Sequence, residues 1–201
     1  MTSRVRGIRS VKDEIRVLAI KDVPLSDPSS PLWVVGVVFR GGYWLDGVMR
    51  TQTPVEGIDA TPSLVEMVRS SSHYDQIRVI ILDNIILGGR KVLDIHELHE
   101  KTRKPVIVLM VRKPPLEELL KMYRESPEGD GVSRVFEAIG EEIVLRSEGK
   151  IQGIMWTAGL SNRIAERIVR KTSRKNAMPE AMRVSKLISS TLHTLLEKQN
   201  L

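Results

Sequence analysis

A chain of 201 residues, 41% hydrophobic and 28% charged, is long enough to bury one sizeable core, so a single domain spanning 1–201 is expected. With no cysteine, disulfides and thiolate metal sites are excluded, and a divalent cation would rely on carboxylate oxygen, which favours Mg²⁺ or Mn²⁺. No apolar run of about 18 residues and no charged-then-apolar leader is visible, so a cytoplasmic protein with no membrane association is expected. The net charge of +6 is concentrated at one end. Leu160 to Leu201 carries nine Lys/Arg against three Asp/Glu, a net of +6, so the first 159 residues sum to zero. Such asymmetry suits a nucleic-acid partner, although a solvated basic face is the plainer reading.

Met1 to Lys12 is polar and basic and is expected at the surface. A first strand is predicted over Ile15–Ile20, ending at Lys21-Asp22 before a loop marked by Pro24, Asp27, Pro28 and Pro31. Leu32–Phe39 is a continuous β-branched and apolar run that suits a strand buried on both faces. It turns at Gly41-Gly42, and Tyr43–Thr53 alternates as the next strand of an antiparallel meander. The connection Pro54–Pro62 carries Glu56 and Asp59, with Thr61 placed to cap a helix that has Pro62 at its first position and Leu64, Val65 and Val68 on one face. Asp59 can stabilise the positive end of that helix, or point with Glu56 into the same crevice as Asp83.

Ile77–Val111 is the organising unit. Two apolar runs, Ile77–Leu82 and Val106–Val111, flank a segment with Val92, Leu93, Ile95 and Leu98 at helical spacing, which predicts strand, helix and parallel strand. Asp83 follows the first run directly, at the strand end where ligands gather in open parallel sheets; a turn cap is the structural alternative. Beyond it, Pro114-Pro115 opens a helical pattern with Leu116, Leu119, Leu120 and Tyr123, and Val132–Ile139 gives another. Ile143–Leu145 and Ile151–Trp156 read as short strands or extended segments. Ser161–Lys175 predicts an amphipathic helix, with Ile164, Ala165, Ile168 and Val169 on one side and Arg163, Arg167, Arg170 and Arg174 on the other. Pro179–Glu197 predicts a last helix. For Trp33, Trp44 and Trp156, core packing is expected over base stacking.

Three meander strands, a helix, and then strand, helix, strand is the element order of the ribonuclease H-like fold, a mixed α/β sheet, here with C-terminal helices. Nucleases of that fold group carboxylates so that oxygen-liking cations assist phosphodiester hydrolysis, and the positions available are Asp22, Glu56 or Asp59, and Asp83. The segments RVLAIKD, VVGVVFRGGYWLDGVMRT, VEGIDAT, IILDNIILGGRKVLDI, KPVIVLMVRKP and PEAMRVSKLI, in this order, resemble the archaeal endonuclease V-like family known as domain of unknown function ninety-nine, or endonuclease dU. The resemblance implies a relation to endonuclease V, a Mg²⁺-dependent enzyme that cuts nucleic acid near deaminated bases. It puts Asp83 at the metal-binding carboxylate of the fourth strand, Glu56 and Asp59 at the acidic pair before the first helix, and Glu180 and Arg183 at the start of the last helix. It also puts Arg112 and Lys113 near substrate phosphate.

This chain departs from the family pattern at the first strand. Where the family ends in Gly-Ile-Asp-Asp, it has Ala19-Ile20-Lys21-Asp22, so Lys21 takes the place of a metal ligand, and an ammonium there replaces one cation charge and repels the rest. Asn84 replaces a glycine, and Gly89-Arg90-Lys91 replaces Gly-Phe-Asn, adding positive charge beside the site. Two functions follow. One is a Mg²⁺- or Mn²⁺-dependent endonuclease using Asp83, Asp59, Glu56 and a displaced Asp22. The other is a catalytically inactive, nuclease-derived protein that holds nucleic acid, DNA in preference to RNA, through Lys21, Arg90, Lys91, Arg112, Lys113, the four-arginine stripe and Arg183.

Overall fold

The computed structural model describes residues 8, 10–27, 29–111, 134–135, 137–147, 150–174 and 178–199. Arg112, Lys113, the helix expected from Pro114-Pro115 and, within the Val132–Ile139 pattern, Val132, Ser133 and Phe136 lie outside the described residues. Three antiparallel strands come first, β1 (Arg16–Val23), β2 (Leu32–Arg40) and β3 (Trp44–Thr53), followed by α1 (Thr61–Arg69) and β4 (Val79–Leu82). A two-strand hairpin, β5 (Ile86–Leu87) and β6 (Lys91–Val92), precedes α2 (Ile95–Thr102) and β7 (Val106–Met110). Then come β8 (Ile143–Ser147), β9 (Lys150–Ala158), α3 (Asn162–Thr172) and α4 (Glu180–Gln199).

The main sheet runs β3-β2-β1-β4-β7-β9-β8. β4 lies parallel to β1 and β7 parallel to β4, whereas β2, β3, β8 and β9 pair antiparallel with their neighbours. The first five positions give the ribonuclease H-like order expected from the sequence, and the β9-β8 pair extends the sheet beyond β7.

Side chains alternate across the strands, so each face gathers its own core. Leu18, Ile20, Val34, Val38 and Ile80 pack with Leu64, Val68 and Leu98 of α1 and α2. Val17, Ala19, Val37, Ile81, Ile107 and Leu109 pack with Ala165, Ile168, Val169, Ala181 and Met182 of α3 and α4. α3 buries a single stripe of Ala165, Ile168, Val169 and Thr172, so tertiary packing of that stripe, at about 1.5–3 kcal/mol for each large aliphatic side chain, holds a helix whose other face is arginine.

The strand boundaries differ from expectation where it matters for function. β1 does not stop at Ile20, because Lys21, Asp22 and Val23 continue to pair with Val35, Val34 and Trp33. At the start of α1 the cap position is Ala60, not Thr61. Asp59 Oδ1 accepts the Thr61 N–H at 2.8 Å, and the Thr61 hydroxyl is turned to the Asp94 N–H at 3.1 Å. Asp94 in turn caps α2, accepting from His96 and Glu97 N–H at 2.8 and 3.0 Å. Trp156 is buried as expected, but Trp44 is 63% exposed at the start of the edge strand β3.

Candidate functional site

Ile20 of β1 and Leu82 of β4 are register partners in adjacent parallel strands. The next residues, Lys21 and Asp83, therefore emerge side by side at the carboxyl ends of the two strands, on the face covered by α3 and α4. Asp22 belongs to the opposite face by alternation, yet the flexible Lys21 stem reaches it. Lys21 Nζ lies 2.7 Å from Asp22 Oδ1 and 3.1 Å from Asp83 Oδ2, an ammonium seated between two carboxylates. The other Asp22 oxygen accepts the Gly88 N–H at 2.9 Å. Gly88 has φ +59°, and a Cβ there would lie 2.6 Å from Leu32 Cδ1, so this turn needs glycine both for its backbone and for space.

α4 closes the cleft. Met182 and Ser185 line it with Lys21, Asp83, Leu109 and Val111, around a space of about 80 Å³. Ser189 Oγ donates to the Asp22 carbonyl at 2.6 Å, and His193 Nδ1 lies 2.7 Å from the Pro24 carbonyl, which ties the helix along the end of β1. Residue identity alone does not announce Ser189 or Met182 as neighbours of Asp22 and Lys21; the only signal was that PEAMRVSKLI is a long amphipathic run.

Burial would pull the Lys21 ammonium down, but the Asp22 and Asp83 carboxylates outweigh it and hold its pKa above the ordinary lysine value of 10.5. A raised lysine pKa means that the pair's stabilisation is fully present below that value and is lost as pH rises through the folded one. In urea titrations, the stability difference between the natural protein and Lys21→Met is therefore expected to stay level from neutral pH to about pH 10 and to shrink above it. A difference that also stays level well above pH 10 means the ammonium is not paired with the carboxylates.

The other expected site residues are distributed differently. Glu56 and Asp59 are exposed, and Asp59 is engaged at the start of α1. Lys91, expected to face substrate, is 2% exposed, and its ammonium donates to the carbonyls of Val55, Glu56 and Gly57 at the loop before α1. Its place in the hairpin turns the stem inward, where burial and the Arg90 charge lower its pKa. Arg90 donates to the Ser30 carbonyl. Asn84 accepts the Ile85 and Ile86 N–H groups, and so shapes the turn after Asp83. Arg183 is exposed and pairs with Glu180 at 2.8 Å, near the cleft.

Arg163, Arg167, Arg170 and Arg174 are all exposed, but not beside Lys21. The end of α3 meets the opposite end of the sheet, where Lys171 pairs with Asp13 ahead of β1 and Arg174 lies over the Tyr43 ring.

A divalent metal does not fit this arrangement. The Lys21 ammonium holds the position between Asp22 and Asp83, and Asp22 is further committed to Gly88 N–H. Among the described residues, no three Asp, Glu or His side chains are grouped so as to hold a metal ion. Those residues also include no helix long and apolar enough to cross a membrane.

Comparison with known proteins agrees with this architecture. A UPF0215 protein of Methanothermobacter thermautotrophicus is 39% identical over 186 residues, covering 92% of this chain and 90% of that one. A UPF0215 protein of Methanosarcina mazei is 37% identical over 181 residues, covering 90% and 91%. The crystal structure of a protein of unknown function from Archaeoglobus fulgidus matches with a TM-score of 0.75 at 36% identity, covering 88% of this chain and 97% of that one. Human ENDOV shares the fold, with a TM-score of 0.57 at 15% identity over 89% of this chain and 84% of its own. So does Ciona intestinalis endonuclease V, solved with a 23mer DNA containing an inosine followed by a ribo-adenosine, with a TM-score of 0.54 at 12% identity over 91% and 87%. The endonuclease dU family pattern matches residues 13–193, and the chain belongs to that family.

Proposed function

We propose that the protein is a catalytically inactive, endonuclease V-like nucleic-acid-binding protein that holds the phosphodiester backbone, DNA in preference to RNA, without a bound catalytic cation. The observation that carries this reading is the Lys21 ammonium between Asp22 and Asp83, at the strand ends where the family resemblance puts metal ligands. The exposed arginines of α3 and the basic C-terminal segment support a polyanionic partner. Four phosphate contacts would weaken binding by about a hundredfold between 50 and 200 mM salt, through counterion release. Fluorescence anisotropy with labelled oligonucleotides is expected to show that salt dependence, to be unchanged by EDTA or Mg²⁺, and to show no strand scission on gels. Absent or salt-independent binding overturns the proposal.

One observation favours the alternative, a metal-dependent endonuclease acting at deaminated bases. Asp83 keeps a quarter of its side chain exposed in the cleft, within reach of an incoming substrate. Cleavage of uracil- or inosine-containing oligonucleotides that requires Mg²⁺ or Mn²⁺ and disappears in Asp83→Ala would establish it, and would displace the cation-free reading.

A further inference from the structure

The end of the molecule opposite the cleft carries an unusual combination. Tyr43 and Trp44, at the β2–β3 turn, are 62% and 63% exposed. The two point to opposite faces of the sheet: Trp44 is the register partner of Arg40 and shares the face packed by α1 and α2, whereas Tyr43 turns toward the end of α3. The Arg174 guanidinium is 4.9 Å from the centre of the Tyr43 ring, and a Cβ at Gly42 would lie 3.0 Å from the Thr172 carbonyl at the end of α3. Arg170 and Arg167 are exposed on α3, one turn apart, whereas Arg174 lies just past it, because the helix expected to reach Lys175 ends at Thr172 and Ser173 is extended.

We infer that Tyr43 together with Arg167, Arg170 and Arg174 forms a binding platform for single-stranded nucleic acid, separate from the Lys21 cleft. The chemistry is complementary on both counts. Guanidinium groups track a phosphate backbone, and exposed ring faces take unstacked bases. A duplex keeps its base faces stacked and offers only the phosphates, so single strands bind better. Arg174, stacked on Tyr43, is already oriented for a phosphate beside the base that stacks there. Arg40, which pairs with Trp44 in the β2–β3 register, is bonded to Asp46, so the turn itself is fixed.

The platform lies along the sheet from the cleft. Tyr43 lies in the turn after Arg40, the register partner of Arg16, and Lys21 is five residues further along β1, about 17 Å at roughly 3.3 Å per residue. A strand that reaches both places spans several nucleotides, so the platform deepens the nucleic-acid reading by naming single strands as its substrate class.

The test is anisotropy with a fluorescein-labelled oligothymidylate of about 16 nucleotides and its duplex, using the full chain and the variants Tyr43→Ala, Arg170→Ala/Arg174→Ala and Lys21→Ala. Tyr43→Ala is expected to weaken single-strand binding about tenfold while changing duplex binding little. The double arginine variant is expected to weaken both and to lower the salt dependence by about two counterions. The Tyr43 loss should persist in the Lys21→Ala background. If only Lys21→Ala weakens binding, the platform is wrong and a cleft-bound strand remains. If only the platform variants weaken it, the platform stands and the cleft reading fails. If nothing binds, both fall. If Tyr43→Ala leaves oligonucleotide affinity unchanged but alters sedimentation or binding to anionic phosphatidylserine vesicles, the surface serves a protein or a lipid instead, and the inference is overturned.

Discussion

Lys21→Asp is expected to lose stability in metal-free buffer and to regain it when Mn²⁺ is added, whereas the natural protein ignores the metal. In the natural chain one ammonium offsets two carboxylates at 2.7 and 3.1 Å. The substitution changes the local charge by two units and leaves three carboxylates at one strand end, one of them, Asp22, buried and bonded to the Gly88 N–H. Removing one partner of a buried pair costs about 3–5 kcal/mol, and Lys21 is only partly buried, so a loss of about 3 kcal/mol is expected. The same three carboxylates are an oxygen-rich site for a hard cation. A metal that binds only the folded chain restores about 2.7 kcal/mol at a hundred times its Kd.

Urea unfolding of the natural protein, Lys21→Asp and Lys21→Met, each with EDTA and with MnCl₂, separates the effects. Lys21→Met removes the ammonium without adding oxygen, so it should be destabilised but recover little with Mn²⁺. If the natural protein gains as much from Mn²⁺ as Lys21→Asp, the lysine is not acting as the internal cation and the metal-dependent nuclease becomes the better reading. If Lys21→Asp gains nothing, the three carboxylates are too far apart or too constrained to hold a cation.

The sheet was largely legible because long apolar runs leave little choice of period. LWVVGVVF and VIVLM read as buried strands, and β2 and β7 are those strands. The β5–β6 hairpin was not legible, since its strands are two residues each and too short for alternation to register. The site was legible in part. Sequence order gives no distances, but the departure at Lys21 was visible as a lysine in a family position for aspartate, and the structure seats it on Asp83. What could not be read was direction. The arginine stripe of α3 was clear as periodicity, yet only the contacts of Lys171 with Asp13 and Arg174 with Tyr43 show that it ends at the far side of the sheet. Lys91 likewise looked like a surface cation beside the site, because charge in a sequence carries no sign of burial.

Lys91→Met is expected to release the loop that carries Glu56 without unfolding the sheet. The Lys91 ammonium has three N–H groups, and the carbonyls of Val55, Glu56 and Gly57 accept all three, in a site without a carboxylate partner. Methionine keeps most of the stem volume and removes the donors. Two effects oppose one another. Losing charge-assisted hydrogen bonds costs about 1.5–3 kcal/mol each, but removing a buried ammonium relieves its desolvation, which is what lowers its pKa. Val55, Glu56 and Gly57 are exposed, so water can take over at their carbonyls. The net expected loss is about 2 kcal/mol and is local, which corresponds to about thirtyfold faster hydrogen exchange by sub-global opening. The Ala60 and Val92 amides report it, because Ala60 N–H donates to the Val92 carbonyl at 2.9 Å and Val92 N–H to the Ile58 carbonyl at 2.6 Å, on either side of the tethered loop. Amides of β1, such as Ala19, should exchange as before. The pH dependence has the opposite sign to that of Lys21: a lysine pKa lowered below 10.5 leaves a penalty at neutral pH that fades as pH rises through the folded value toward 10.5. The natural protein should therefore gain stability relative to Lys91→Met as pH rises over that interval. Unchanged exchange at Ala60 and Val92 means the ammonium does not tether the loop, and Lys91 is then available to the substrate side of the site.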